Sequence, residues 1–296
     1  MLNKNPIFIN GFQRGGTNIL LNLIGSHPEV CFIDGETHQV FTGRTSQPIK
    51  KWFNKLTYAP VLIAERDHLF SINRSAEPAM PASFMLRYID MVFYLSKLTA
   101  ARYNVQADSS TKSVKELAGS RMLGKNVNGI IFTSAMLHKM YPQATFIGLI
   151  RNGLALCEGF VRRGITADKF GRLYQNVCDQ MLRDVERLPN YRIIRFEDLI
   201  ANPTAVMEAI YDAARLDKTA VTQFRLQAKA SMGQDGVRRN TFDAQKHKEL
   251  RWFQLDEING YFRQDVNDNQ IARLSDKDKH LFLSHAQQAM AHFGYV

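Results

Sequence analysis

Residues 6–25 read PIFINGFQRGGTNILLNLIG and place a glycine-rich segment between two apolar runs. We expect the first run to be a short buried strand and the segment that begins at Thr17 to be a helix. Gly11 and Gly16 stand five positions apart, which is the glycine spacing of a nucleotide-phosphate loop. A strand, a glycine-rich turn and a helix N-terminus in this order predict an anion site, because backbone N–H groups and the helix dipole attract negative charge.

Two residues of an ordinary ATP-binding loop are missing from this segment. Thr17 and Asn18 stand where such a loop carries Lys and Ser/Thr, which contact the β/γ-phosphates and Mg²⁺. Arg14 instead offers a guanidinium that suits phosphate or sulfate, and Gly15 and Gly16 let the backbone approach a ligand. Three interpretations remain open: an altered ATP loop, a loop for another phosphate ligand, and a turn without a ligand. Arg14 and the Thr17 cap favour an anion site.

Length and composition allow one large domain or two small ones, and we expect a single domain over residues 1–296. The chain is 45% hydrophobic, and we find no repeat, low-complexity tract or clear linker. The sequence contains no long uncharged apolar window and no recognisable signal peptide, so we expect no membrane span. Cys31, Cys157 and Cys178 have neither pairing nor metal-ligand spacing, which predicts a reducing compartment, the cytoplasm.

The net charge of +10 and the isoelectric point near 9.5 indicate an anionic partner or a basic surface. Nucleic acid is one candidate and a polyanionic small ligand is another. The basic residues are spread along the chain, and no zinc-finger, basic-region or RNA-binding aromatic pattern accompanies them. Composition therefore favours a site for a small anion slightly over generic surface charge.

Strands and helices alternate along the sequence. Residues 6–10, 144–150 and 191–196 have the apolar pattern of buried strands. Helical patterns follow or precede them at residues 17–26, 86–103, 130–141, 154–163, 167–188, from Pro203 onward, and from Ser275 to about Gly294. This alternation predicts a three-layer α/β fold with a mostly parallel central sheet flanked by helices. Ligands of such sheets bind beyond the carboxyl ends of the strands, where NGFQRGGTN, RNG and FEDL fall.

Four segments carry a further pattern that spans nearly the whole chain. They are FQRGGTNILLNLIGSHPEV (12–30), YPQATFIGLIRNG (141–153), RFEDLIANP (195–203) and FGYV (293–296). In this order they resemble segments of sulfotransferases that use 3′-phosphoadenosine 5′-phosphosulfate (PAPS). The arginine in the first segment is similar to that of the tyrosylprotein and carbohydrate-type enzymes. The resemblance implies a P-loop-like fold and transfer of a sulfuryl group from PAPS to an acceptor.

The resemblance also implies which residues hold the transferred group. Arg14 would bind the 5′-phosphosulfate together with the N–H groups of Gly15, Gly16, Thr17 and Asn18. Lys125 matches a family lysine that contacts the leaving oxygen, although the proline that usually follows that lysine is absent. Lys112 and Lys115 are alternatives for this role.

The acceptor side is implied by the segment DGETHQVF, residues 34–41. Glu36 matches the glutamate that acts as catalytic base in the tyrosylprotein branch, and Thr37 matches the threonine beside it. His38 replaces an arginine that helps to hold the acceptor, so we expect His38 to bind substrate while the acceptor itself stays open. A solvated loop glutamate is the structural alternative for Glu36.

Arg151 matches the family arginine that binds the 3′-phosphate of the donor. The family carries a serine eight residues later, where this chain has Gly159. Either Arg162 or Arg163 compensates for the lost hydroxyl, or the donor binds more weakly. Two more basic residues, in a polar segment at residues 232–248 that we expect to be a loop, are candidates for closing over the same phosphate: Arg238 and Arg239.

The sequence thus predicts a PAPS-dependent sulfotransferase that acts on a hydroxyl of a peptide tyrosine, a sugar or a small metabolite. We expect no metal, no nucleic-acid partner and no membrane association, and the sequence does not reveal the oligomeric state. A sulfotransferase-like nucleotide-binding protein without turnover is the main alternative. An atypical P-loop kinase and a nucleic-acid binder are less favoured. We interpret Glu197 and Asp198 as capping and loop residues rather than metal ligands.

Overall fold

The computed structural model describes residues 1–37, 73–232, 238–241, 244–246 and 249–296, with the backbone alone at residues 230–232 and 238–240. The strands are β1 (Ile7–Gly11), β2 (Val30–Phe32), β3 (Arg121–Val127), β4 (Thr145–Ile150), β5 (Tyr191–Arg195), β6 (Gln223–Gln227), β7 (Ala230–Met232), β8 (Arg238–Asn240) and β9 (Leu250–Gln254). The helices are α1 (Thr17–Ile24), α2 (Ser83–Leu98), α3 (Val114–Gly119), α4 (Ser134–Met140), α5 (Gly153–Val161), α6 (Ala167–Arg187), α7 (Phe196–Ala201), α8 (Pro203–Ala214), α9 (Val266–Ile271) and α10 (Asp276–His292).

The central sheet has five strands in the order β2-β3-β1-β4-β5, and every pairing within it is parallel. Helices cover both faces, so the predicted three-layer α/β fold is confirmed. Because side chains alternate along a strand, β1 supplies both cores. Phe8 packs with α6 and α10 on one face, and Ile7 and Ile9 pack with α1 and α8 on the other. Because β1 is the middle strand, its carboxyl end lies at the middle of the sheet edge that the strand C-termini form.

Strand β3 was not predicted, because its sequence RMLGKNV carries a lysine and an asparagine where a buried strand is usually apolar. The neighbouring strand pairs with the amide NH₂ of one of these polar side chains, whose Oδ1 has no hydrogen-bond partner among the described residues. Asn126 donates from Nδ2 to Oδ1 of Asn10 on β1 at 2.8 Å, and both residues are fully buried. Because a strand can hide polar side chains only when its neighbours pair with them, β3 cannot be recognised from its own residues.

Several predicted boundaries are corrected by the structure. The helix expected at residues 86–103 is α2, which begins at Ser83 and ends at Leu98, before a separate 3₁₀ turn at Ala101–Tyr103. The helix expected at residues 130–141 is a 3₁₀ segment, Asn128–Thr133, followed by α4. Within the predicted loop at residues 232–248, β7 and β8 form a short antiparallel pair.

One buried carboxylate, Asp184 on α6, lies in the core beside this sheet. Gln180 donates to its Oδ1 at 2.8 Å, while its Oδ2 has no hydrogen-bond partner among the residues described above. Burial raises the pKa of Asp184 to about 6, and the hydrogen bond from Gln180 offsets only part of that effect. A folded-state pKa above the unfolded value of 3.8 means that this group favours folding at low pH.

We expect Asp184→Asn to stabilise the protein more at high pH than at low pH. The wild-type protein loses stability as pH rises through about 6, because Asp184 must then ionise in the core, at a cost on the order of 3 kcal/mol by about pH 8. In urea unfolding, Asp184→Asn should raise the free energy of unfolding by about 3 kcal/mol near pH 8 and by only about 1 kcal/mol near pH 4.5. Equal gains at both pH values would contradict the assignment.

Candidate active site

The turn between β1 and α1 depends on glycine at position 16. Gly16 has φ of 87° and Arg14 has φ of 68°, so both lie in the left-handed region. A Cβ atom on Gly16 would overlap the ring of Phe196, which leads from β5 into α7. Only glycine fits here, because any side chain meets both an unfavourable backbone conformation and an aromatic ring.

The loop presents backbone donors at its tip. The N–H group of Gly15 donates to the carbonyl oxygen of Phe12 at 3.0 Å and is used within the turn itself. The N–H groups of Gly16, Thr17 and Asn18 have no hydrogen-bond partner in the described part of the chain. Of the four predicted backbone donors, these three lack a partner within the described residues, and they lie at the positive end of the α1 dipole.

A cleft of about 480 Å³ opens beyond the carboxyl ends of β1, β3 and β4. Its volume suits a drug-sized or nucleotide-sized ligand. In the described ranges, the lining has one carboxylate, from Glu36, and five cationic side chains: Arg14, Lys125, Arg151, Arg163 and Lys229. This imbalance gives the lining an excess of positive charge, which favours an anionic ligand.

Lys125 lies at the centre of the cleft, near the carboxyl end of β3. Its Nζ donates to Oδ1 of Asn18 at 2.6 Å and forms an ion pair with Oε1 of Glu36. The Lys125 side chain is 7% exposed and the Glu36 side chain is 34% exposed, so Glu36 faces the opening. The structure therefore brings together three residues that the sequence predicted for one site.

The alternative lysines lie elsewhere. Lys112 is buried, and its Nζ donates to the carbonyl oxygens of Pro28 and of Val30, the latter at 2.8 Å. Lys115 is exposed on α3. Of the three candidates only Lys125 lines the cleft.

Arg151 follows β4 and is buried against the floor of the cleft, with 5% of its surface exposed. Its Nε donates to Oδ1 of Asn267 at 2.8 Å, one terminal nitrogen donates to the Arg14 carbonyl at 2.7 Å, and the other donates to Gln270. The guanidinium carbon lies 4.6 Å from the centre of the Phe196 ring. Burial lowers the pKa of Arg151 to about 10. Three bonds leave two of its five N–H donors for a ligand.

Gly159 lies on α5 close to the loop. A Cβ atom added there would have only Cγ of Arg14, at 4.0 Å, within reach. Burial and the charges of Arg163 and Arg162 lower the pKa of Arg14. Arg162 is 3.4 Å from Oε1 of Glu158, whereas Arg163 lines the cleft, so Arg163 is the better placed of the two predicted substitutes for the missing serine.

Some predicted residues are not placed by the structure. His38 lies outside the described residues. Arg238 and Arg239 belong to β8, but their side chains are not described. Within the described ranges there is no group of three or more His, Cys, Asp or Glu side chains arranged to hold a metal. No helix in those ranges has the length and apolar content that a bilayer span requires.

Sequence reasoning missed Phe196 as the platform under Arg151 and missed Asn267 and Gln270 as its partners. The two amides lie on α9, whose sequence VNDNQI is polar and reads as a solvated helix. No local signal could have identified them, because their contact with Arg151 spans more than a hundred residues. Phe196 belongs to the segment RFEDLIANP, and its position directly after a buried strand was the available signal.

Residues 6–220 match a protein-family profile described as "Sulfotransferase family". Since this match covers well over half of the chain, the chain belongs to the sulfotransferase family. The sulfotransferase domain from the Synechococcus PCC 7002 olefin synthase has a TM-score of 0.50 and 16% identity, covering 99% of this chain and 96% of that domain. The sulfotransferase domain from the curacin biosynthetic pathway has a TM-score of 0.52 and 13% identity, with coverages of 99% and 98%. These similarities show the fold, and no curated protein matches the chain.

The glycine at position 16 gives a test of the loop geometry. We expect Gly16→Ala to lower the free energy of unfolding by about 3 kcal/mol, from backbone strain and from overlap with Phe196. Gly164→Ala is the matched control, because Gly164 has φ of 83° with open space around it. Its cost should be about 1 kcal/mol. Equal losses in urea unfolding would show that the ring contact does not constrain the loop.

Proposed function

We propose that the protein transfers a sulfuryl group from PAPS to an acceptor hydroxyl, on a peptide tyrosine, a sugar or a small metabolite. Membership of the family establishes a sulfotransferase, and the donor and acceptor are the proposal. The observation that carries it is the loop at the end of β1, where the described residues place three unpartnered N–H groups beside five cationic side chains and one carboxylate. Such a site holds an anionic group without relying on the missing Lys-Ser/Thr pair.

The residues present fit PAPS at both of its anionic ends. The 5′-phosphosulfate suits the N–H groups of residues 16–18 with Arg14, which lies in the loop itself. The 3′-phosphate suits the two remaining donors of Arg151, with Arg163 nearby in place of the family serine. PAPS supplies the sulfuryl group, and the chain supplies charge and orientation.

Glu36 and Lys125 have complementary tasks in this proposal. Glu36 takes the proton of the acceptor hydroxyl, and the Lys125 ammonium stabilises charge on the leaving oxygen. In the free protein the two side chains form an ion pair, so the Lys125 ammonium occupies one carboxylate oxygen of Glu36. An anion on the loop competes for Lys125, while Asn18 holds the ammonium close to the N–H groups.

Experiments can distinguish two alternative functions from this one. A nucleotide-binding protein without turnover is favoured by Gly159, which offers no hydroxyl beside Arg14. A kinase is disfavoured by Asn18, which stands at the position of the Mg²⁺-binding Ser/Thr. Cys31, Cys157 and Cys178 are buried and free, which supports a reducing, cytoplasmic setting as part of the proposal.

We expect Glu36→Gln to abolish transfer while leaving donor binding intact. Transfer of labelled sulfate from PAPS to an acceptor should fall by about 10² to 10⁴, the usual contribution of a general base. Affinity for adenosine 3′,5′-bisphosphate should stay equal or rise, because Lys125 loses its competing carboxylate. Glu29→Gln, an exposed change outside the cleft, is the control. Unchanged transfer in Glu36→Gln would overturn the base assignment.

A further inference from the structure

Glu197 connects three distant segments at the edge of the site without lining the cleft. It lies in the first turn of α7, and each of its three hydrogen bonds comes from a different segment. Oε1 accepts from the Asn152 backbone N–H at 3.0 Å and from Nδ2 of Asn267 at 2.5 Å, and Oε2 accepts from the Tyr295 hydroxyl at 2.7 Å. A carboxylate is the side chain that can accept from three donors at once.

The contact with Asn267 determines how Arg151 is held. Because Nδ2 of Asn267 donates to Glu197, its Oδ1 points the other way and accepts from Nε of Arg151 at 2.8 Å. An amide has its donor and acceptor on opposite sides, so Glu197 decides which of them faces the guanidinium. Without that carboxylate, Asn267 is free to turn its NH₂ group toward Arg151, where donor would meet donor.

Arg151 needs such support because it is a buried cation. Burial lowers its pKa, and the charge of Glu197 is the largest opposing contribution. Phe196 supports one face of the guanidinium, and Gln270 and the Arg14 carbonyl take two further donors. The direction of the remaining two donors therefore depends on the bond between Nε and Asn267.

We propose that Glu197 is a positioning residue that orients the Arg151 guanidinium, through Asn267, toward a terminal phosphate of the ligand. The inference rests on the proposed function, in which that phosphate is the 3′-phosphate of the donor. It gives the RFEDL and FGYV segments a shared task, since Tyr295 anchors the same carboxylate from the chain terminus. The Arg195 guanidinium lies 4.9 Å from the centre of the Tyr295 ring and holds that anchor in place.

The test is the preference for a 3′-phosphate, measured by calorimetry as the ratio of affinities for adenosine 3′,5′-bisphosphate and adenosine 5′-monophosphate. We expect Glu197→Ala to reduce this ratio about tenfold, the usual effect of losing a hydrogen bond to a charged group. Asn267→Ala, a milder change on the partly exposed α9, should reduce it equally. Asp198→Ala, the adjacent exposed acid on α7, is the matched control and should leave the ratio unchanged.

A merely structural role would lower the melting temperature and weaken both ligands together, so an unchanged ratio in both Glu197→Ala and Asn267→Ala overturns the inference. In an Arg151→Ala background, Glu197→Ala should have no further effect on the ratio, because its action runs through Arg151. A further fall of the affinity ratio in the double variant would contradict an action of Glu197 through Arg151. If the wild-type protein shows no preference for the bisphosphate, the proposed role of Arg151 and the proposed donor fail instead.

Discussion

The contact between the backbone of Gly16 and the ring of Phe196 is the constraint on which the site depends. It lets the loop after β1 close against the start of α7, with φ of 87° at Gly16. The same ring supports the Arg151 guanidinium at 4.6 Å, and Arg151 in turn donates to the Arg14 carbonyl. One aromatic side chain thus contacts both the loop with its backbone donors and the cation after β4, the two groups that we propose to bind the anionic ligand.

The distribution of charge separates structural cations from those available to a ligand. Lys97 and Lys112 are buried away from the cleft and donate to backbone carbonyl oxygens, which compensate for their lost hydration. Within the described ranges the side chains of Arg14 and Arg163 donate to no backbone carbonyl oxygen, and the charge of Arg163 lowers the pKa of Arg14. Because like charges are brought together around empty space, the cleft gains stability when an anion enters it.

Local sequence patterns predicted the helices and strands that are marked by their own apolar spacing and capping residues. The helices expected from Pro203 and from Ser275 are both confirmed, and the side chains of Asn202 and Ser275 cap them by accepting from the Ala205 and Asp278 N–H groups. Strand β3 and the amides of α9 escaped prediction, because their polar side chains are satisfied by residues far away in sequence. His27, in the first marked segment, proves structural: it is buried, accepts from the Glu29 N–H through Nδ1 and donates from Nε2 to the Asp217 carbonyl. The candidate site residues could be proposed from their spacing in the sequence. The residues that hydrogen-bond to them could not, because they lie far away along the chain.

The central claim is that the loop after β1 serves a phosphosulfate donor rather than ATP. Calorimetric titration of the wild-type protein with adenosine 3′,5′-bisphosphate, with ATP–Mg²⁺ and with a random DNA duplex tests it most directly. The account predicts binding of the bisphosphate in the range of about 1–100 μM, typical of a nucleotide substrate, with ATP–Mg²⁺ and DNA much weaker. Tight binding of ATP–Mg²⁺ together with no binding of the bisphosphate would contradict it.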